Sequence, residues 1–181
     1  MEKIYNWVGE VGNSVLKIID YIGRIATMLA SVVSYIARLA IEWPIAITQM
    51  SVMGVSSMFI VFLVVSFTGM FISLMATEQA VRFGTTQYLG AGIVYVMIRE
   101  LVPVLTAVVM AGRVGSAIAS ELGSMKVSEQ IDALRSLATN PVQYLVVPRT
   151  VALIVMMPVV SIFAGFVSIM MSFVVAYKAG G

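Results

Sequence analysis

Arg99 and Glu100 are adjacent charges inside a stretch, Leu89 to Gly112, that carries no other charged residue. A helix rises 1.5 Å per residue, so a pair about ten residues into that stretch sits near the middle of a bilayer core about 30 Å thick. A charge there costs roughly 2.5–3.5 kcal/mol on insertion scales, and by default it marks a substrate or ion pathway. Neighbouring residues on a helix do not face one another. Each is therefore expected to meet a cavity, another helix or a second copy rather than to neutralise the other fully. The structural alternative is a pair that ties this span to its neighbours. Pro103 removes an intrahelical hydrogen bond, and the kink this predicts would open space beside the pair.

The elements that hold this pair follow from composition. Of 181 residues, 60% are hydrophobic and 11% charged, against about 25% charged in soluble domains. Eleven Lys and Arg oppose nine Asp and Glu, for a net charge of +2. That is too few charges to solvate the surface of a soluble protein, and the chain reads as an all-α integral membrane protein. It has no Cys and no His. Disulfides, thiolate chemistry, Cys/His metal sites and Ser-His-Asp triads are thereby excluded, and no cofactor is expected. The basic residues are scattered without an aromatic-basic pattern, so nucleic acid is not an expected partner.

Three spans are expected, at residues 50–75, 89–112 and 151–177, joined by a cytoplasmic segment at 113–149. Residues 1–42 differ in kind. Ile4, Val8, Val11, Val15, Ile18, Ile22, Ile25, Leu29, Val32, Ile36 and Leu39 recur at spacings of three and four, opposite Glu10, Lys17, Asp20, Arg24 and Arg38. This pattern predicts an amphipathic helix lying in the membrane interface, with a coiled-coil or bundle helix as the alternative. Trp7, Tyr21, Tyr35 and Trp43 suit the headgroup level. Lys3, Lys17, Arg24 and Arg38 precede the first span, and Arg113, Lys126, Arg135 and Arg149 lie between the second and third. Only Arg82 and Lys178 lie on the other side, which predicts a cytoplasmic N-terminus and a periplasmic C-terminus.

Within 113–149 the small residues Gly112, Gly115, Ser116, Ala117 and Ala119 allow close approach of another backbone. Ser128 is expected to cap a short helix from Glu129 to about Ala138, ended by Asn140-Pro141. Its Glu129, Gln130, Asp132 and Arg135 suit docking to a soluble partner, while the plainer reading is a solvated loop helix.

This segment resembles the MlaE/YrbE family, the permease subunits of bacterial lipid-transporting ABC systems. The residues that carry the resemblance begin with Arg99-Glu100-Leu101, Pro103-Val104 and Ala111-Gly112-Arg113-Val114-Gly115-Ser116-Ala117. They continue through Glu121-Leu122-Gly123-Ser124-Met125, Glu129-Gln130-Ile131-Asp132-Ala133-Leu134, Asn140-Pro141 and Val147-Pro148-Arg149. Weaker similarity reaches Phe67-Thr68-Gly69-Met70 and the amphipathic start.

The resemblance implies a homodimeric permease of the bacterial inner membrane. It also implies a cytoplasmic ATPase partner, a periplasmic MCE-domain partner and a phospholipid substrate. Carried over by residue, Glu121, Leu122 and Gly123 become candidates for coupling to the ATPase, followed by Glu129 and Asp132. Arg99 and Glu100 match charges near the family's lipid cavity, and Phe67, Met70, Phe71 and Leu74 become contact candidates along the first span. Val102 stands where the family commonly has Gly. Family members usually have five spans, so this chain is expected to be a fragment lacking two. It has no Gly-x-x-x-x-Gly-Lys-Ser/Thr loop, so it is not expected to hydrolyse ATP itself. Two other readings stay open: an ion-coupled secondary transporter built on Arg99-Glu100, and a non-transporting scaffold that recruits a soluble protein through its loop.

Overall fold

A computed structural model describes residues 2–180 apart from 86 and 88, and the side chains from 12 to 178 with the same two exceptions. The side chains of Lys3, Ile4, Trp7, Val8, Glu10 and Val11, and all of Gly181, lie outside the described residues. The order is α1 (Glu2–Ala37), α2 (Trp43–Met50), α3 (Ser56–Phe83), α4 (Leu89–Val96), α5 (Val102–Val127), α6 (Gln130–Ser136) and α7 (Val147–Gly180). Five-residue π turns, Ser51–Val55, Met97–Leu101 and Val142–Val146, join α2 to α3, join α4 to α5, and lead into α7. No strand occurs among the described residues. Three continuous helical segments, Trp43–Phe83, Leu89–Val127 and Val142–Lys178, are long and apolar enough to cross a membrane. The protein is an all-α, multi-pass membrane protein.

Between membrane helices the hydrophobic effect gives little drive, so close packing of small residues and interhelical hydrogen bonds must hold them. The buried face of α3 is built that way. Ser57, Val61, Val65, Gly69, Ser73 and Thr77 repeat every four residues along one side. This face packs chiefly on α7. Ser168 donates to the carbonyl of Val65 at 3.0 Å, and Ser73 donates to that of Ser172 at 2.8 Å. Gly69 sits between these contacts, where an added Cβ would fall 2.2 Å from Ser168 Oγ. A larger core of Met53, Met97, Val102, Met110, Val160 and Ala164 joins the second span to the other two.

The helices run past the expected spans. The second continues as α5 through residues 113–127, and the π turn at Val142–Val146 begins the third before Arg149. Charge marks where a helix leaves hydrocarbon, not where it stops. Nothing between Arg113 and Val127 is Pro, so the backbone bonds continue into water. Where the sequence predicts a kink at Pro103, the helix carries a π turn, Met97–Leu101, that ends two residues before the proline. Proline cannot donate to the carbonyl four residues back, and a wider turn accommodates that missing bond.

Among the described residues of α1, it is the C-terminal part that packs, with Val32, Tyr35 and Ile36 against Val142, Val146, Val147 and Val151. Its apolar stripe from Val15 to Leu29 is exposed. The polar face carries an i,i+4 pair, Arg24 with Asp20 at 2.9 Å.

Two expected caps take other forms. Ser128 does not cap α6: its hydroxyl donates to the carbonyl of Ser124, and Glu129 occupies the N-cap with φ 57°. Ser128 is the C-cap of α5, and a serine hydroxyl bonded back to the preceding turn does not also reach forward. Asn140-Pro141 starts the third span rather than ending α6, since Asn140 Oδ1 accepts from the Val142 N–H at 3.0 Å. The helix has already ended at Ser136, with Ala138 in the left-handed conformation at φ 56°.

Candidate functional site

Arg99 and Glu100 lie in the π turn Met97–Leu101, both about two-thirds exposed, on a helix long enough to cross a membrane. Contrary to the helical expectation, the two side chains approach each other, with Nε to Oε1 at 3.7 Å. That is the outer limit of an ion pair, reached because both chains are long. Arg99 also lies over the Tyr95 ring, 5.5 Å from its centroid, and donates to the Tyr95 hydroxyl. A guanidinium on an aromatic face is held without being neutralised, so it keeps donors for an anion.

Two grooves meet at this point. One, of about 580 Å³, is lined by Gly90, Ala91, Val94, Tyr95, Ile98 and Arg99. The other, of about 520 Å³, lies between the second and third spans and includes Ile98, Pro103, Pro158, Ile162, Gly165 and Phe166. Ile98 belongs to both. The arrangement sets a cation beside a long, almost wholly apolar trough, which complements a phosphate joined to hydrocarbon. Phe67, Phe71 and Leu74 are exposed along α3 and Met70 is half-buried, but none of the four lines either groove.

The candidate coupling residues divide between two elements. Glu121, Leu122 and Gly123 lie on the extension of α5 beyond the apolar stretch, while Glu129 and Asp132 lie on the turn and helix that follow. Glu121 Oε1 pairs with Arg149 Nη2 at 2.7 Å, which ties this extension to the start of α7. In the sequence Arg149 stands out as a basic residue of its loop and as part of the Val147-Pro148-Arg149 run, with nothing to link it to Glu121. Asp132 receives Lys126 at 2.8 Å and Arg135 at 3.0 Å. The hydrogen bond and charge of Lys126, reinforced by Arg135, hold its carboxyl below the ordinary aspartate value near 3.8. Leu122 is half-buried, whereas Gly123, Glu129 and Asp132 are exposed. Among the described residues no cluster of His, Cys, Asp or Glu could hold a metal ion.

The family model "Permease MlaE" matches residues 46–181. The chain belongs to this family. A probable ABC transporter permease protein of Synechocystis sp. is 45% identical over 120 residues, covering 65% of this chain and 46% of that protein. The intermembrane phospholipid transport system permease protein MlaE of Haemophilus influenzae is 38% identical over 121 residues, covering 67% of this chain and 46% of that one. The chloroplastic protein TRIGALACTOSYLDIACYLGLYCEROL 1 of Arabidopsis thaliana is 38% identical over 118 residues, covering 65% and 34%. The chain spans about half the length of the curated relatives it matches first. Residues 1–45, which include α1, lie outside the family match.

Proposed function

We propose that this chain is the membrane-spanning permease part of an ABC transporter that moves phospholipid between the bacterial inner membrane and a periplasmic MCE-domain carrier. The observation that carries the reading is the exposed Arg99, held on Tyr95 beside an apolar trough at Ile98. Arg99 takes the lipid phosphate and the trough takes acyl chains. Phe67, Met70, Phe71 and Leu74 present an apolar wall from α3 to a second copy of the chain. Glu121, Leu122, Gly123, Glu129 and Asp132 form the face that meets a separate cytoplasmic ATPase, which supplies hydrolysis. Dimerisation of that ATPase on ATP would push on the α5 extension and α6, and α5, continuous with Arg99 through one π turn, would carry the push as a rigid body. The N-terminus and α6 face the cytoplasm, and α1 lies along the membrane surface.

The test is Arg99→Ala and Glu100→Ala in the assembled transporter, read by phospholipid co-purification and by transport into acceptor vesicles. Loss of bound lipid with Arg99→Ala is expected. Unchanged lipid and transport in both variants would reduce the pair to a structural tie and favour the scaffold reading.

A further inference from the structure

A further pocket, with a more polar lining, lies 14 to 22 residues beyond Arg99 along the same helical segment, at the basic end of the bundle. It encloses about 150 Å³ between the α2–α3 junction and α5, and its lining includes Gln49, Val52, Ser57, Arg113, Ala117 and Glu121. Arg113 is exposed and makes no ion pair among the described residues. Gln49 Oε1 is buried with no hydrogen-bond partner. Ser57, 1% exposed, also lines the pocket. Glu121 engages Arg149 through Oε1, leaving its other oxygen available. Arg149 is itself buried, and its Nε has no partner.

A buried polar atom without a partner costs free energy until something bonds it. Here one unpaired cation and two acceptors share a single pocket, which is the complement of a phosphate joined to a hydrogen-bond-donating amine. Gln49 lies inside the charge-free stretch that follows Glu42, on the first membrane-long helix, and the exposed apolar Val52 forms the adjoining rim. A ligand whose polar head enters here would lay its chains on the membrane face of the helix.

We propose that this pocket binds the headgroup of a phospholipid bearing a primary amine, drawn from the leaflet at the basic end of the bundle. Arg113 takes the phosphate, and Gln49 and Glu121 accept from the ammonium. A quaternary amine cannot donate, so a phosphatidylcholine headgroup binds less well. The proposal extends the phospholipid reading to a second site and is tested by binding, without transport.

The full chain is purified in detergent, exchanged with an equimolar mixture of dioleoyl phosphatidylethanolamine and dioleoyl phosphatidylcholine, and examined by native mass spectrometry. The same measurement in an Arg99→Ala background removes lipid held at the other groove. Retention of phosphatidylethanolamine over phosphatidylcholine is expected in both backgrounds. Arg113→Gln should lower retention of both lipids by about tenfold or more. Gln49→Leu should abolish the preference between them. Because the chain has no cysteine, Ala117→Cys places one labelling point in the pocket wall, and a maleimide adduct should lower retention relative to the unlabelled thiol of the same folded protein.

Equal retention of the two lipids, or retention indifferent to both Arg113→Gln and the adduct, would overturn the proposal. So would displacement by soluble phosphoethanolamine at the same concentration as lipid, which would make this a site for free anions. Retention lost with Arg99→Ala alone would place the lipid in the other groove, overturning this site while leaving the transport reading intact.

Discussion

Arg149 and Glu121 meet at 2.7 Å with very different surroundings: the arginine side chain is 6% exposed and the glutamate 51%. Arg149 also donates through Nη1 to the carbonyl of Leu145, inside the π turn that opens the third span. One guanidinium thus ties the α5 extension to the base of α7. The unequal burial predicts unequal mutants. Glu121→Ala leaves a buried cation unpaired and should cost about 1–3 kcal/mol. Arg149→Met fills the same volume with apolar atoms and leaves a glutamate that can hydrate, so it should cost less. Thermal unfolding in detergent should rank Glu121→Ala below Arg149→Met, with the double variant close to Arg149→Met. Equal losses for the two single variants would mean that the pair contributes as a surface ion pair does.

At Gly69 a methyl group would meet Ser168 Oγ at 2.2 Å and Met97 Cε and Ser172 Oγ at 2.9 Å. The first is a hydroxyl fixed by its bond to Val65, so it cannot simply swing away. Gly69→Ala should separate α3 from α7 and cost about 1–3 kcal/mol. Adding Ser168→Ala removes the obstructing oxygen and should restore part of the loss. Gly123→Ala is the control, since nothing lies within 4 Å of its added Cβ. A similar midpoint for the Gly69 and Gly123 variants would show that the α3–α7 seam is loose.

The three spans were legible because hydrocarbon tolerates almost no charge, and the gaps from Glu42 to Glu78 and from Arg149 to Lys178 are long. Arg99-Glu100 was legible for the same reason, as an exception to that rule. What periodicity could not reach was pairing between distant segments. Nothing local joins Glu121 to Arg149, or Ser73 to Ser172, and the reach of Asn140 to the Tyr35 hydroxyl spans 105 residues. The caps failed for a different reason. Ser128 has the right residue type at the right place, but a competing carbonyl one turn back captured its hydroxyl.

The contacts of Lys126 and Arg135 lower the titration of Asp132. A carboxyl held below its unfolded value stabilises the fold above that value, and the contribution is lost as pH falls through the lower, folded pKa. The Lys126–Asp132–Arg135 contacts should therefore persist below pH 3.8 and disappear only in stronger acid. Carbon NMR of the Asp132 carboxyl in micelles should show a midpoint below the ordinary aspartate range. Lys126→Met, removing the largest cause, should move that midpoint upward, and high salt should move it part of the way. A midpoint unmoved by Lys126→Met would assign the depression to Arg135 instead. The groups are exposed, so the expected effect is on the orientation of α6 more than on global stability.

Among the described residues three helices end in the same backbone motif, and one of the three uses the residue that motif favours. After α3, Thr85 N–H reaches the carbonyl of Ala80 at 3.0 Å with Gly84 left-handed at φ 68°. After α1, Ala40 reaches Tyr35 with Leu39 at φ 54°. After α6, Thr139 reaches Leu134 at 3.1 Å with Ala138 at φ 56°. A side chain in this conformation costs roughly 1–2 kcal/mol that glycine does not incur. Ala138→Gly should therefore strengthen the end of α6 by about 1 kcal/mol, net of the entropy glycine adds to the unfolded chain. Amide hydrogen exchange at Leu137, Ala138 and Thr139 should slow in the variant, and Ala138→Val should speed it. Faster exchange in Ala138→Gly would mean that α6 is held by the Asp132 contacts and not by its cap. The two predictions would then be joined, because Lys126→Met alone should release the same amides.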